Sequence, residues 1–191
     1  MLTSSSHEIT SATDETSMEM KKSGLDISMF GSVYEKHYAE VYRFIFRRIC
    51  DTEKSFDLCS LVFLKAMENL KSYRNEGKPI IAWLYRIALN EIYMQHRKRK
   101  AEIIYHIDVS ELQYIEDDLG HEKMIELESE LLSALQKLDR DEMELIEMRY
   151  FEKQQVNMIA EILNTSANNV SVRLFRIIGK LKKILTSNQK S

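Results

Sequence analysis

Asn169, Arg173, Arg176 and Lys180 recur at i, i+4, i+7 and i+11, a spacing that lines them along one face of a helix, with Asn168 and Ser171 beside its first turn. Side-chain amides and hydroxyls hydrogen-bond to base edges in a major groove, and cations further along the same helix neutralise the flanking phosphates. The surrounding composition fits that chemistry. From 162 to 191 the chain has no Asp or Glu and carries Arg173, Arg176, Lys180, Lys182, Lys183 and Lys190, for a net charge of +6, whereas 126–161 is net −6 and the whole chain −3. Carboxylates beside such a helix would repel phosphate, so their exclusion points to a nucleic acid as the ligand. An isolated basic amphipathic helix is more often a plain solvated face; the helix pair described below shifts the balance.

A second constellation lies upstream in IIAWLYRIALNEIYMQHRKRK. Trp83, Arg86, Asn90, Tyr93 and Arg97 are spaced 3, 4, 3 and 4 apart and share one helix face. Aromatics interleaved with Arg and Asn suit an unstacked base: a flat surface for stacking, an amide for its pairing edge and cations for its backbone. Arg97, Lys98, Arg99 and Lys100 then form a phosphate anchor. Trp83 equally fits a core position, and basic residues at a helix C-terminus also complement its dipole.

Other chemistries find no support. The sequence has no Gly-rich phosphate loop, no HExxH and no zinc-ligand spacing, so neither an enzyme nor a cofactor or metal site is expected. Cys50 and Cys59 lack partners for a zinc site or a disulfide framework, and His7, His37, His96, His106 and His121 are scattered. No stretch has the length and apolarity of a membrane span, and the beginning MLTSSSHEIT lacks a secretory pattern, so a cytoplasmic protein without membrane insertion is expected.

Helices must position these side chains. One proline and five glycines in 191 residues are too little punctuation for a sheet protein, which predicts an all-α chain. Segment charges divide it: 1–28 is net −3, 29–100 net +6, 101–125 net −6 and 126–191 neutral. Residues 1–28, rich in Ser, Thr and Glu, are expected to be a disordered tail. Residues 29–100 form a first helical domain, with apolar stripes at Phe63, Ala66, Met67 and Leu70 and at Ile80, Leu84, Ile87, Ala88 and Ile92. Pro79 suits the first turn of the second helix. Residues 101–125 read as an acidic tether. In 126–191 a helical period resumes through Leu127, Leu131, Ala134, Leu135 and Leu138, then Met143, Ile146 and Tyr150, then Val156, Ile159, Ala160 and Leu163, then Val170, Leu174, Ile177, Ile178 and Leu181. Between the last two stripes lies only NTSAN, in which Asn164 tolerates a left-handed helix end and Ser166 caps the next helix. That is a helix-turn-helix.

The run DLCSLVFLKAMENL, then AWLYRIALNE, then an acidic tether, then LIEMRYFEKQQVNMIAEILNTSANNVSVRLFR closely resembles the extracytoplasmic-function group of the sigma-70 family of RNA polymerase sigma factors, over roughly 29–185. The resemblance implies a first domain that docks on bacterial core RNA polymerase and recognises and melts the −10 element, and a second that reads the −35 element of promoter DNA. Carried over by position, Asp57, Leu58, Ser60, Leu61 and Leu64 would face the polymerase. Tyr73, Arg74, Asn75 and Lys78 of the loop, with Trp83, Arg86, Asn90 and Tyr93, would hold the −10 strand, and Arg97, Lys98, Arg99 and Lys100 the duplex upstream. Ser166, Asn168, Asn169, Ser171, Arg173, Arg176 and Lys180 would approach the −35 groove. An anti-sigma factor is a further partner the resemblance suggests. The chain departs from the family pattern at Ser55, Phe56 and Ser60 around the clamp helix, at Met158 and Asn164 in the helix-turn-helix, and at Ser171 in the recognition helix.

Two sites two helical turns apart lie roughly 70 Å from each other. A tether of about 25 residues spans at most about 80 Å, so one chain reaches both when nearly extended or spread on a scaffold. The acidic tether and acidic half-domain oppose approach to DNA, so tight binding is expected to need the polymerase. The alternatives are a stand-alone helix-turn-helix regulator, which would dimerise on a palindromic site and leave the Trp83–Arg97 face without a role, and a helical module that binds only protein.

Overall fold

The computed structural model describes residues 27–70, 73, 78–99, 112, 115, 118, 119 and 127–188. These are helical, with no strand among the described residues, as the composition predicts. The elements are α1 (Ile27–Ile49), α2 (Thr52–Glu68), α3 (Ile80–Arg99), α4 (Leu127–Leu135), α5 (Arg140–Ile146) continuing into a π turn (Glu147–Phe151), α6 (Val156–Leu163) and α7 (Ala167–Asn188). They fall into two compact units: unit one ends at Met94 and excludes 46–50, and unit two takes 46–50 together with 95–191.

Unit one packs α1, α2 and α3 around aromatic and aliphatic side chains. Phe44 of α1 stacks on Tyr85 of α3 with ring centroids 4.3 Å apart, and Phe30 meets Phe63 of α2 edge-on at 6.3 Å. Asp51 starts α2, its carboxylate accepting from the Lys54 amide at 3.0 Å. Lys65 of α2 donates to the buried Glu91 of α3 at 2.6 Å, and the fully buried line of Leu84, Ala88 and Ile92 sets which face of α3 turns outward. Ala66 and Leu70 are buried as the stripe predicts, whereas Met67 is 42% exposed. Met67 sits at the margin of that stripe, one residue past the line through Phe63, Ala66 and Leu70.

In unit two, α5 begins with a reciprocal capping box: the Glu142 amide donates to the Asp139 carboxylate at 2.8 Å and the Asp139 amide to that of Glu142 at 2.9 Å. Behind it lies charge that periodicity does not announce. Arg48, fully buried, donates to Glu144 Oε1 through Nε at 2.9 Å and Nη2 at 2.6 Å, and to Glu152 Oε1 through Nη1 at 2.5 Å. Arg47 donates to the buried Glu147 at 2.6 Å. Glu147 Oε2 has no hydrogen-bond partner, and burial pushes this carboxyl up to about 7 against the pull of the two guanidiniums.

Of the acidic segment 101–125, Leu112, Ile115 and Leu119 are buried, and Asp118 accepts a hydrogen bond from the Tyr150 hydroxyl at 2.6 Å. An unpacked tether is therefore the wrong description at these positions. Leu112, Ile115 and Leu119 recur at helical spacing, and they bury like any other apolar helical stripe.

Candidate nucleic-acid interface

The turn between α6 and α7 is built from local chemistry. Asn164 adopts φ 52°, ψ 49°, the left-handed conformation that Asn tolerates and that stops α6. The Thr165 amide then donates back to the Ala160 carbonyl at 2.9 Å. Two residues on, Ser166 Oγ accepts from the Asn169 amide at 3.2 Å, capping α7. Ser166 thus acts on the helix it starts.

The buried line of α7 runs through Val170, Leu174, Ile177, Leu181 and Leu185. Each such side chain removed from water contributes roughly 1.5–3 kcal/mol before ordering costs, which holds α7 in one rotation against unit two. That rotation leaves Asn168, Asn169, Ser171 and Arg176 exposed and Arg173 half-buried. Lys180 is placed differently from the sequence expectation: its ammonium donates to Glu142 Oε2 at 2.5 Å, so it ties α7 to the cap of α5. Periodicity alone put it on the ligand face, but Glu142 stands within its reach. Lys182 and Lys183, further along, are exposed.

Sequence reasoning overlooked the side chains between these. Phe175 is 81% exposed and Val172 39%, on the face of α7 that also carries Asn168. The signal was present: two apolar residues at i, i+3 that fall off the core line of their own helix.

On α3 the buried side chains are Ala82, Leu84, Tyr85, Ala88, Leu89, Glu91 and Ile92. Asn90 and Arg97 are exposed, and Trp83, Arg86 and Tyr93 are half-buried along the same face. Tyr73 is buried instead of being open to a ligand: its hydroxyl donates to the Lys78 carbonyl at 3.2 Å and its ring lies 4.9 Å from that of Trp83. It is a wall behind Trp83, because burying the ring releases more than an exposed loop position would. Lys78 is exposed; Arg74, Asn75 and Lys100 lie outside the described residues, as do the side chains of Lys98 and Arg99.

On α2, Asp57, Ser60 and Leu64 are exposed and Leu61 half-buried, while Leu58 is 1% exposed and belongs to the core. Leu58 falls on the same helical line as Val62, which turns it inward. Phe56, 57% exposed, joins Asp57, Tyr38, Tyr42, Thr52 and Glu53 around a groove of ≈ 590 Å³. Neither Cys50 nor Cys59 is in a disulfide, and no cluster of His, Cys, Asp or Glu among the described residues could hold a metal. No helix among them is long and apolar enough to cross a membrane.

With these surfaces in place, comparison with known families is decisive. Sigma-70 region 2 matches residues 33–102 and Sigma-70, region 4 matches residues 128–181, together well over half of the chain. The chain belongs to the sigma-70 family of RNA polymerase sigma factors, in its extracytoplasmic-function group. It is 28% identical over 161 residues to RNA polymerase sigma factor YlaC of Bacillus subtilis (strain 168), covering 82% of this chain and 92% of that one. It is 26% identical over 155 residues to ECF RNA polymerase sigma factor SigM of the same organism, covering 80% and 92%. In fold it is similar to the sigma factor RpoE of Bartonella quintana, solved with the anti-sigma factor NepR: 20% identity, TM-score 0.53, over 84% of this chain and 98% of that one. In this sigma factor the region 2 match contains the Trp83–Arg97 face, and the region 4 match contains the α6–α7 turn with Phe175 and Arg176.

Proposed function

We propose that this sigma factor brings bacterial core RNA polymerase to promoters through two separate readings of DNA. The α3 face of Trp83, Arg86, Asn90, Tyr93 and Arg97, with Lys78 beside it, takes the opened −10 strand. Trp83 is backed by Tyr73 and offers a ring for stacking, while Asn90 offers an amide to a base edge. The first half of α7 enters the −35 major groove, with Asn168, Asn169 and Ser171 toward bases and Arg173 and Arg176 toward phosphate or guanine. Exposed Asp57, Ser60 and Leu64 on α2, beside the Phe56 groove, form the polymerase-facing surface. The observation that carries the reading is the order of the two family matches on one chain, each containing one of the two DNA faces.

The place of work is the cytoplasm. The acid-rich remainder of the chain weakens its affinity for free DNA, so the polymerase is needed as co-partner. An anti-sigma factor is a second protein partner, as in the complexes described for RpoE of Bartonella quintana and for CnrH. The test is reconstituted transcription: the full chain, added to core polymerase on genomic DNA, yields discrete start sites absent without it. Core polymerase that gains no start-site selection from the protein overturns the reading.

A further inference from the structure

Along α1, Phe30, Tyr34, Tyr38 and Tyr42 recur at every fourth residue and share one face. Phe30 is buried at its start, Tyr34 is 42% exposed, and Tyr38 and Tyr42 are half-buried. The rings of Tyr34 and Tyr38 lie 5.1 Å apart, and Tyr38 meets Phe56 of α2 edge-on at 6.5 Å. This line ends in the groove of ≈ 590 Å³, where Tyr38, Tyr42 and the exposed Phe56 supply apolar surface and Glu53 and Asp57 the charge, with no cation among the lining residues. Two carboxylates repel a nucleic acid here. Rings beside carboxylates instead suit a peptide that brings methionines, whose thioethers pack against ring edges, next to lysines. The chain carries such a stretch in MEMKK, residues 18–22, where Met18 and Met20 precede Lys21 and Lys22, the two cations of 1–26. Residues 1–26 lie outside the described residues. Tyr38 and Tyr42 stand roughly 16 and 22 Å along α1 from Ile27, and the stretch from Met20 to Ile27 extends at most about 25 Å. It reaches.

We infer that the segment 18–22 of this chain folds back along the Tyr34–Tyr42 line and docks in the groove, Met18 and Met20 against the rings of Tyr38, Tyr42 and Phe56, and Lys21 and Lys22 toward Glu53 and Asp57. Exposed ion pairs add little by themselves, so the methionines anchor the segment and the lysines choose where it lies. The groove adjoins Asp57, Ser60 and Leu64, so the docked segment stands over the surface assigned to core polymerase and core must displace it. That consequence rests on the polymerase-facing reading of α2, whereas the docking does not. A segment docked about nine-tenths of the time lowers the apparent affinity for core about tenfold, because only the open fraction can bind.

The experiment follows the methionine methyl resonances of the full chain by NMR, with Met18→Leu and Met20→Leu identifying the two signals. In the native chain both methyls are shifted upfield by the rings beside them. Phe56→Leu, at an exposed position, reduces the shift; Lys21→Glu with Lys22→Glu abolishes it, and Glu53→Lys added to that pair restores part of it. Core polymerase added to the native chain returns both methyls to the position of free methionine, and the chain carrying Met18→Ser with Met20→Ser binds core about tenfold more tightly than the native one. Methyls at the free position in the native chain, or upfield shifts that survive the reversal of both lysines, overturn the docking. Shifts that vanish on dilution seat the segment of a second copy in the groove and overturn it as well. Docking that leaves core affinity the same in the double-serine variant overturns the competition. A chain that docks its segment yet gives core polymerase no start sites overturns the polymerase reading and leaves the docking standing.

Discussion

Unit one and unit two bury different kinds of side chain. Unit one is built on rings: Phe30, Phe44, Phe63, Tyr73 and Tyr85 are inside, and the aromatic set spills outward through Tyr34, Tyr38, Phe56 and Trp83. Unit two is built mainly on Leu, Ile and Met, with Tyr150 and Phe151 the buried rings, and it buries Arg48, Glu144 and Glu147 among them. Rings that reach the surface leave flat apolar edges where bases or a partner can stack. Unit two also carries a ring outward, Phe175 of α7, but otherwise offers its ligand amides, hydroxyls and cations on a helix held rigidly from behind. The same difference places the cost of charge: the Lys65–Glu91 pair of unit one is partly open to water, whereas Arg48 in unit two is not.

The contrast is broken most directly at Arg48. Arg48→Ala leaves Glu144 and Glu152 buried without their guanidinium and is expected to cost about 3–5 kcal/mol. Lys65→Ala, at a pair one-third open on the lysine side, is expected to cost about 1 kcal/mol. Urea denaturation followed by circular dichroism measures both. Equal losses would mean that the two pairs are equally solvated and that the distinction drawn here is empty.

These charges also mark where the sequence stops being readable. The helical period located α4 to α7 of unit two, and Asn164 and Ser166 announced their turn, because a left-handed residue and an N-cap are local necessities. Arg48, Glu144 and Glu147 could not be found that way: a buried Glu and a solvated one are the same letter, and the pairing joins residues 96 or more positions apart. Leu112, Ile115 and Leu119 were hidden for a different reason, their helical spacing being diluted by seven acids in the 101–125 segment. On the ligand faces, Lys180 and Tyr73 had the right residue type for contact but had partners nearer at hand in Glu142 and Trp83. Phe175 escaped notice because an exposed ring on a basic face contradicts the habit of looking for cations there.

The pH dependence of stability sharpens the same comparison. Glu147 has a folded-state value of about 7, above the ordinary 4.5, so the folded chain holds a proton that the unfolded chain releases. The contribution of Glu147 to stability is therefore fully present below pH 4.5, declines as pH rises toward 7 and stays lost above it, by about 3 kcal/mol at most. Burial raises Glu152 as well, in the same direction. Glu147→Gln carries no charge to bury, so its stability at pH 8 exceeds that of the native chain and its decline between pH 5 and 8 is shallower. Denaturation midpoints at the two pH values decide this; an unchanged decline in the variant would assign the effect to other groups.

At the ligand faces the two units are expected to fail in different ways. Arg176→Ala costs about 1–3 kcal/mol of upstream binding with relaxed base preference if the guanidinium reads guanine, or lowers the salt slope by about 1 at all sequences if it holds phosphate. Asn90→Ala acts later, slowing promoter opening more than it weakens initial binding. Holoenzyme binding across salt concentrations, with opening followed by permanganate reactivity, separates them. Matching losses in binding and opening for Asn90→Ala would remove its assigned role.

The smallest effect tests how α7 is started. Ser166→Ala removes the acceptor from the Asn169 amide, which costs about 1 kcal/mol where nothing replaces it. Asn169 is itself at the ligand face, so losing the cap loosens a residue that must hold its place over a base edge. Hydrogen exchange at the first amides of α7 should therefore rise in the variant while the line from Val170 to Leu185 stays protected, since burial holds those residues. If exchange at the Asn169 amide is unchanged, the rotation of α7 is set by the left-handed Asn164 and the Thr165–Ala160 hydrogen bond alone, and the serine contributes to the ligand face without shaping it.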